Sequence, residues 1–155
     1  VQLEYSLASR GLDAHLPALR ALGVGVTAYG VLSRGLLTGS KPNGPTDYRA
    51  YLPRFSGENA ATNQKAQRSL AELAAARKAS PAQLAIAWVL SRGTDLVPVI
   101  GARTRVQLAE ALGALSLELS PAELLAIEQA VTPETVAGTR YDAAQMKMLD
   151  SERRV

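Results

Sequence analysis

The chain has no cysteine and a single histidine. Disulfides and thiolate chemistry are therefore excluded, and a zinc site has only one imidazole to draw on. The same absence fits a reducing, cytoplasmic setting. No stretch of eighteen apolar residues occurs, because Arg, Asp or Glu interrupts every apolar run, so no membrane-spanning helix is expected. Neither sign of charge dominates: 17 Lys+Arg against 14 Asp+Glu leave +3, too small an excess for a nucleic-acid footprint. The basic, apolar and small-residue order of a signal peptide is also missing. The chain opens on Val1 directly within an alternating segment, so its start is expected to be a cut made inside a longer protein.

What is present is the composition of a folded domain. The 155 residues are 47% hydrophobic and 20% charged, enough for one domain and too few for two of ordinary size. Residues Val1 to Leu7 place apolar side chains at 1, 3, 5 and 7, which is the period of a strand. Leu12, Leu16, Leu19 and Leu22 follow at helical steps, with Pro17 in the first turns and Gly23 at the end. Val24 to Tyr29 is a short apolar, β-branched run bounded by glycines, as a buried parallel strand requires.

From Gly30 to Asn63, glycines and prolines recur without a sustained period, which predicts a long loop. Connections of that length are usually functional, although a plain surface insertion explains the composition equally well. Gln64 to Lys78 carries a helical stripe. Ser80-Pro81-Ala82-Gln83 is a capping box opening a second helix that Gly93 stops. Leu96 to Ile100 is a third short apolar run. Thr104 to Gln107 opens a helix to about Leu115, and Ser120 to Glu123 opens a last one to about Val131. The tail to Val155 reads as irregular or partly helical, with Met146 and Met148 expected to pack.

Each strand candidate precedes a helix, so the class is α/β with a parallel sheet. Three parallel strands leave both sheet edges open, whereas an eight-stranded (β/α)8 TIM barrel needs about 250 residues. Residues 1–155 are therefore expected to form the C-terminal portion of one such barrel domain, with roughly 150 residues absent.

In such barrels the site lies at the carboxyl ends of the strands, and phosphates bind at helix N-termini beyond the last two. Three segments qualify: Gln2 on the first strand, Tyr29 to Gly35 after the second, and Ile100 to Arg105 after the third. The guanidinium groups of Arg103 and Arg105 can clamp a phosphate. Cations at a helix start oppose its dipole unless an anion is present, yet solvated charges explain them as well. Tyr29 is equally read as an aromatic closing the barrel mouth. His15 is most simply a surface or capping residue, and Trp88 a core residue.

Several separated motifs then agree in order. They are Gln2-Leu3-Glu4-Tyr5-Ser6-Leu7, Ala28-Tyr29-Gly30-Val31-Leu32-Ser33-Arg34-Gly35-Leu36-Leu37-Thr38-Gly39, the set Asp47, Arg49, Pro53-Arg54-Phe55 and Asn59, Ser80 to Trp88, and Val97 to Arg103. Together they resemble the aldo-keto reductases, from about the sixth barrel strand onward. The resemblance implies an NADP(H)-dependent oxidoreductase that reduces small aldehydes or ketones. It implies that Gln2 holds the nicotinamide carboxamide, that Tyr29 stacks on the ring, and that Gly30, Val31, Leu32, Ser33 and Arg34 wrap the pyrophosphate. It further implies that Gly101, Arg103, Gln107, Glu110 and Ala111 line the adenosine end, with Arg103 on the 2′-phosphate. The segments Lys41 to Asn63 and Gly138 to Tyr141 would border substrate and cofactor.

There are departures from the pattern. Gly30-Val31-Leu32-Ser33 stands where many relatives have Ser-Pro-Leu-Gly, and Ala111 where they have asparagine. The family's catalytic tyrosine, lysine, histidine and aspartate lie on earlier strands, so no residue of this chain takes those roles. A non-catalytic nucleotide-binding module of the same fold is the competing reading, and a short protein that completes a barrel by dimerising is a third.

Overall fold

In a computed structural model of the chain, which describes residues 1–149, the β-branched and apolar run Val26–Tyr29 forms the central strand β2. It pairs in parallel with β1 (Gln2–Glu4) on one side and β3 (Leu96–Pro98) on the other. The register sets Glu4 opposite Tyr29, and Thr27 opposite both Gln2 and Val97. Alternation then sorts the side chains. Leu3, Val26, Ala28 and Leu96 turn to the core, while Gln2, Glu4, Thr27, Tyr29 and Val97 share the other face.

The strands are shorter than the apolar runs suggest. Val1 to Leu7 was expected to be extended throughout, but Ser6 and Ser9 exchange backbone hydrogen bonds of 3.1 and 3.0 Å that fold the chain into a turn just after Tyr5. The first helical segment also divides, into a 3-10 turn at Gly11–Ala14 and the short helix α1 (Leu16–Ala21). His15 occupies the N-cap between them without a side-chain capping bond.

Helix α2 (Gly57–Ala76) begins seven residues earlier than its apolar stripe. The expected loop from Gly30 to Asn63 is accordingly corrected to a shorter, partly ordered connection with 3-10 turns at Ser33–Gly35, Tyr48–Tyr51 and Pro53–Phe55. Asp47 caps the second of these turns by accepting from the Arg49 amide at 3.1 Å. Its carboxyl lies well below the usual range because the Arg49 side chain also donates to it.

Helices α3 (Pro81–Ser91), α4 (Arg105–Gly113) and α5 (Pro121–Ala130) each open on a complete capping box. The Ser80 hydroxyl accepts from the Gln83 amide at 3.2 Å while the Gln83 side chain accepts from the Ser80 amide at 2.9 Å. Pro81 at the first helical position has no N–H, so two of the three orphan N–H groups at that end are thereby satisfied. A short helix α6 (Ala143–Met146) follows. Met148 does not pack as the sequence suggested: it is 80% exposed. No helix of the described residues is long and apolar enough to cross a membrane.

The core lies between the sheet and the helices. Leu70 and Ala74 of α2, Leu84, Trp88 and Val89 of α3 and Ile127 of α5 close on Tyr5, Leu7, Val26 and Ala28. At the start of α5, hydrogen bonds from Ser120 and then Arg77 hold the Glu123 carboxyl down to about 2. A carboxylate whose pKa is lowered by folding stabilises the fold above its unfolded value and loses that contribution as the pH falls toward its folded value. The wild type should therefore melt at a higher temperature than Glu123→Gln at pH 6, and the difference should vanish between about pH 4.5 and about pH 2. Melting curves at several pH values check this, and a gap that persists at pH 2 would contradict it.

Candidate functional site

The carboxyl end of β2 leads through Tyr29 and Gly30 into a turn with unusual backbone geometry. Ser33 and Arg34 both adopt positive φ, 48° and 57°, ahead of Gly35 at 89°. Non-glycine residues in the left-handed region cost about 1–3 kcal/mol each and persist only where their surroundings over-determine them. Here the surroundings do so. The Ser33 hydroxyl lies 2.9 Å from that of Ser6, and Arg34 is held by Glu4 and Tyr141. Gly30, at φ 68°, is needed for a second reason: a Cβ there would come within 2.9 Å of Glu4 Cγ.

This turn and the start of α4 form the two walls of a cleft of about 390 Å³. Gly30, Val31, Leu32 and Arg34 lie on one side, and Gly101, Arg103 and Gln107 on the other. A second hollow of about 210 Å³ shares Leu32, Gly101 and Gln107 and adds Glu110 and Ala111. The structure thus brings nine of the twelve residues singled out in the sequence to one continuous surface. The other three sit differently. Ser33 is buried behind the turn against Ser6, where it supports the backbone and does not line the cleft. Gln2 is exposed at the start of β1, and Tyr29 is half-buried on the same sheet face as Gln2 and Glu4. Burial first, and then the charge of Glu4, raise the Tyr29 hydroxyl above its ordinary value.

The two walls differ in electrostatics. Arg103 is exposed, and among the described residues no carboxylate pairs with it. The Gln107 side-chain oxygen accepts from the Arg103 and Thr104 amides at 2.8 and 3.2 Å, completing the capping box of α4. Only its amide nitrogen remains to face a ligand. Together with the α4 N-terminus, whose dipole favours negative charge, Arg34 and Arg103 make the cleft suited to an anion. Among the described residues, no group of three His, Asp or Glu side chains is placed to hold a metal ion.

One residue that the sequence pattern passed over is central to the site. Glu4 is 3% exposed, and its carboxylate lies 3.3 Å from Arg34 and 3.2 Å from Arg140 while accepting from the Ser9 hydroxyl at 3.0 Å. Strand alternation already put it on the Gln2 face, and a carboxylate there needs counter-ions. Its partners, 30 and 136 residues away, left no local trace. Arg140 reaches Glu4 because the segment 136–141 is tied across the mouth. Asn63 donates to Ala137 O at 3.0 Å and accepts from Ala137 N at 2.8 Å, while Arg54 donates to Gly138 O at 3.3 Å. Gly138 has φ 81°, and a Cβ there would lie 2.9 Å from the Pro53 carbonyl carbon, so glycine is required.

A parallel sheet covered by helices on one face, with a cleft holding Arg34 and Arg103 at the carboxyl ends of its last two strands, is the arrangement of part of a (β/α)8 barrel. The sequence profile of the Aldo/keto reductase family matches residues 1–132, and the chain belongs to that family. It is similar to Probable aldo-keto reductase 1 of Glycine max, 40% identical over an alignment of 146 residues that covers 91% of this chain and 42% of the relative. Among solved structures, the glycerol dehydrogenase AKR11B4 from Gluconobacter oxydans superposes with a TM-score of 0.76 at 27% identity, covering 85% of this chain and 42% of that one. The thermostable aldo-keto reductase Tm1743, in complex with the inhibitor epalrestat, shares the fold with a TM-score of 0.61 at 24% identity, over 83% of this chain and 38% of that one. The chain spans about two-fifths of the length of these relatives.

Proposed function

We propose that the complete protein is an NADP(H)-dependent oxidoreductase that reduces small aldehydes or ketones, and that residues 1–155, the C-terminal part of its single barrel domain, supply the cofactor-binding portion. The observation that carries this reading is the convergence of Arg34 and Arg103, from two different strand ends, on one cleft of about 390 Å³. A nicotinamide dinucleotide, when bound, supplies the hydride for carbonyl reduction.

The chain's own residues bind and orient the dinucleotide. Gly30 to Leu32 and Arg34 face the pyrophosphate. Gln2 and Tyr29, on one face of the sheet, address the nicotinamide end. Arg103 and the start of α4 receive the 2′-phosphate. In the adjoining hollow, Ala111 offers a methyl group beside Leu32, Ile86 and Ile100, so the adenine meets apolar surface in place of the asparagine amide found in many relatives. Glu110 lies at the edge of that hollow, next to the ribose. The absence of cysteine supports a cytoplasmic setting.

Arg103 gives the test. Removing a cation that contacts the 2′-phosphate affects NADPH and leaves NADH, which lacks that group, nearly untouched. Arg103→Ala in the complete protein should weaken NADPH binding relative to NADH by about 1.5–3 kcal/mol, the scale of a hydrogen bond to a charged group. Parallel fluorescence titrations with the two cofactors measure the difference, and equal losses for both would refute the assignment.

A further inference from the structure

The two guanidinium groups that share the Glu4 carboxylate are not equivalent. Arg140 is sealed in, with its side chain 2% exposed, and Glu4 itself is fully covered at 0%. Arg34 is 16% exposed and is the member of the trio that also lines the cleft. Its guanidinium carbon sits 4.5 Å above the Tyr141 ring, and it donates to the Tyr141 hydroxyl. One carboxylate is thus shared by two arginines beneath the cleft.

A buried carboxylate stripped of its only counter-ion is strongly destabilising. If Arg34 alone neutralised Glu4, it could turn toward an incoming phosphate only by stranding that carboxylate. With Arg140 in place, Glu4 stays paired whichever way Arg34 points. We propose that Arg140 is a positioning residue: it acts as the standing counter-ion of Glu4 and so frees Arg34 to take the pyrophosphate of a dinucleotide. This rests on the dinucleotide reading of the cleft. It gives the segment 136–141, fastened through Asn63 and Arg54, a part in cofactor affinity although Arg140 itself does not line the cleft.

The test is a charge-balance cycle on the intact protein, with inorganic pyrophosphate and NADPH titrated separately by calorimetry and each variant checked for folding by circular dichroism. Arg140→Gln leaves Arg34 as the sole counter-ion of Glu4 and should weaken both probes roughly tenfold or more, the scale of one charge-assisted contact. Arg140→Lys, which keeps the charge, should stay close to the wild type. The double variant E4Q/R140Q removes the carboxylate that would sequester Arg34, and its affinity should return to within a few-fold of the wild type.

Unchanged binding by Arg140→Gln overturns the proposal. So does a double variant that binds no better than Arg140→Gln, because that is the result of a merely structural role. The double variant also decides the matter if Arg140→Gln does not fold. A wild type that binds pyrophosphate but not NADPH refutes the dinucleotide reading while the pyrophosphate cycle still judges the charge balance. A wild type that binds neither overturns both.

Discussion

Replacing Trp88 with alanine should lower the unfolding free energy by about 3–5 kcal/mol, the cost of truncating a large aromatic in a packed core. Trp88 is 0% exposed and is the hub of the α3 side of the core. Its ring lies 5.2 Å from that of Tyr5, and the guanidinium groups of Arg10 and Arg92 stand 5.2 and 5.5 Å from its centroid. Its indole N–H donates to Glu128 at 2.9 Å. Truncation therefore opens a cavity and removes a hydrogen-bond donor from a carboxylate that also faces Arg92 at 3.3 Å. The only tryptophan is lost in this variant, so urea unfolding has to be followed by circular dichroism. A loss under about 1 kcal/mol would mean that the site collapses around the smaller side chain, contrary to the packing described.

The second large effect belongs to Glu4. Glu4→Gln removes the charge and leaves two arginines, one of them sealed in, facing a neutral amide. Breaking a buried ion pair by deleting one partner costs about 3–5 kcal/mol, because the remaining charge is desolvated without compensation. The expected loss lies at the upper part of that range on the Arg140 side, and Arg34 relieves some of it by turning to solvent. Urea midpoints for the wild type, Glu4→Gln and E4Q/R140Q give the comparison. The double variant should recover much of the loss, since the sealed-in cation goes with the carboxylate and the arginine that remains, Arg34, can turn to solvent. If the single and double variants were equally destabilised, the carboxylate would matter for packing and not for charge.

What could be read from the sequence follows from how local each signal is. The capping box at Ser80 and the helix starts at Thr104 and Ser120 are statements about four consecutive residues, and all three helices begin there. Glycine boundaries and β-branched runs placed β2 and β3 correctly, although each is shorter than the apolar stretch around it. The start of α2 was missed because Gly57 to Asn63 carries polar residues and alanines without a leucine stripe. That turn is held by Asn59 donating to Pro53 O at 3.0 Å and Asn63 donating to Arg54 O at 2.9 Å, contacts that no periodicity encodes.

The same division runs through the candidate site. Gly30, Arg34, Gly101 and Arg103 were visible because they sit beside the strand and helix boundaries that the pattern marks. The dependence of Arg34 on Glu4 and Arg140 was not, since it is a matter of charges meeting across the fold. The left-handed backbone at Ser33 and Arg34 was hidden for a related reason. Serine and arginine carry no preference for that region, and only the contacts to Ser6 and Glu4 impose it.

Asn63 imitates a neighbouring strand with one side chain, giving to and taking from the same residue, Ala137. That single amide acts as the zero mark from which the remainder of the terminal segment is counted. Three residues on, the count delivers a cation to the carboxylate beneath the cleft, and four residues on, a phenol beside Arg34. A residue inserted between Ala137 and Arg140 would leave the anchor untouched and shift every later side chain by one place. The length of this short span is thus as constrained as its composition.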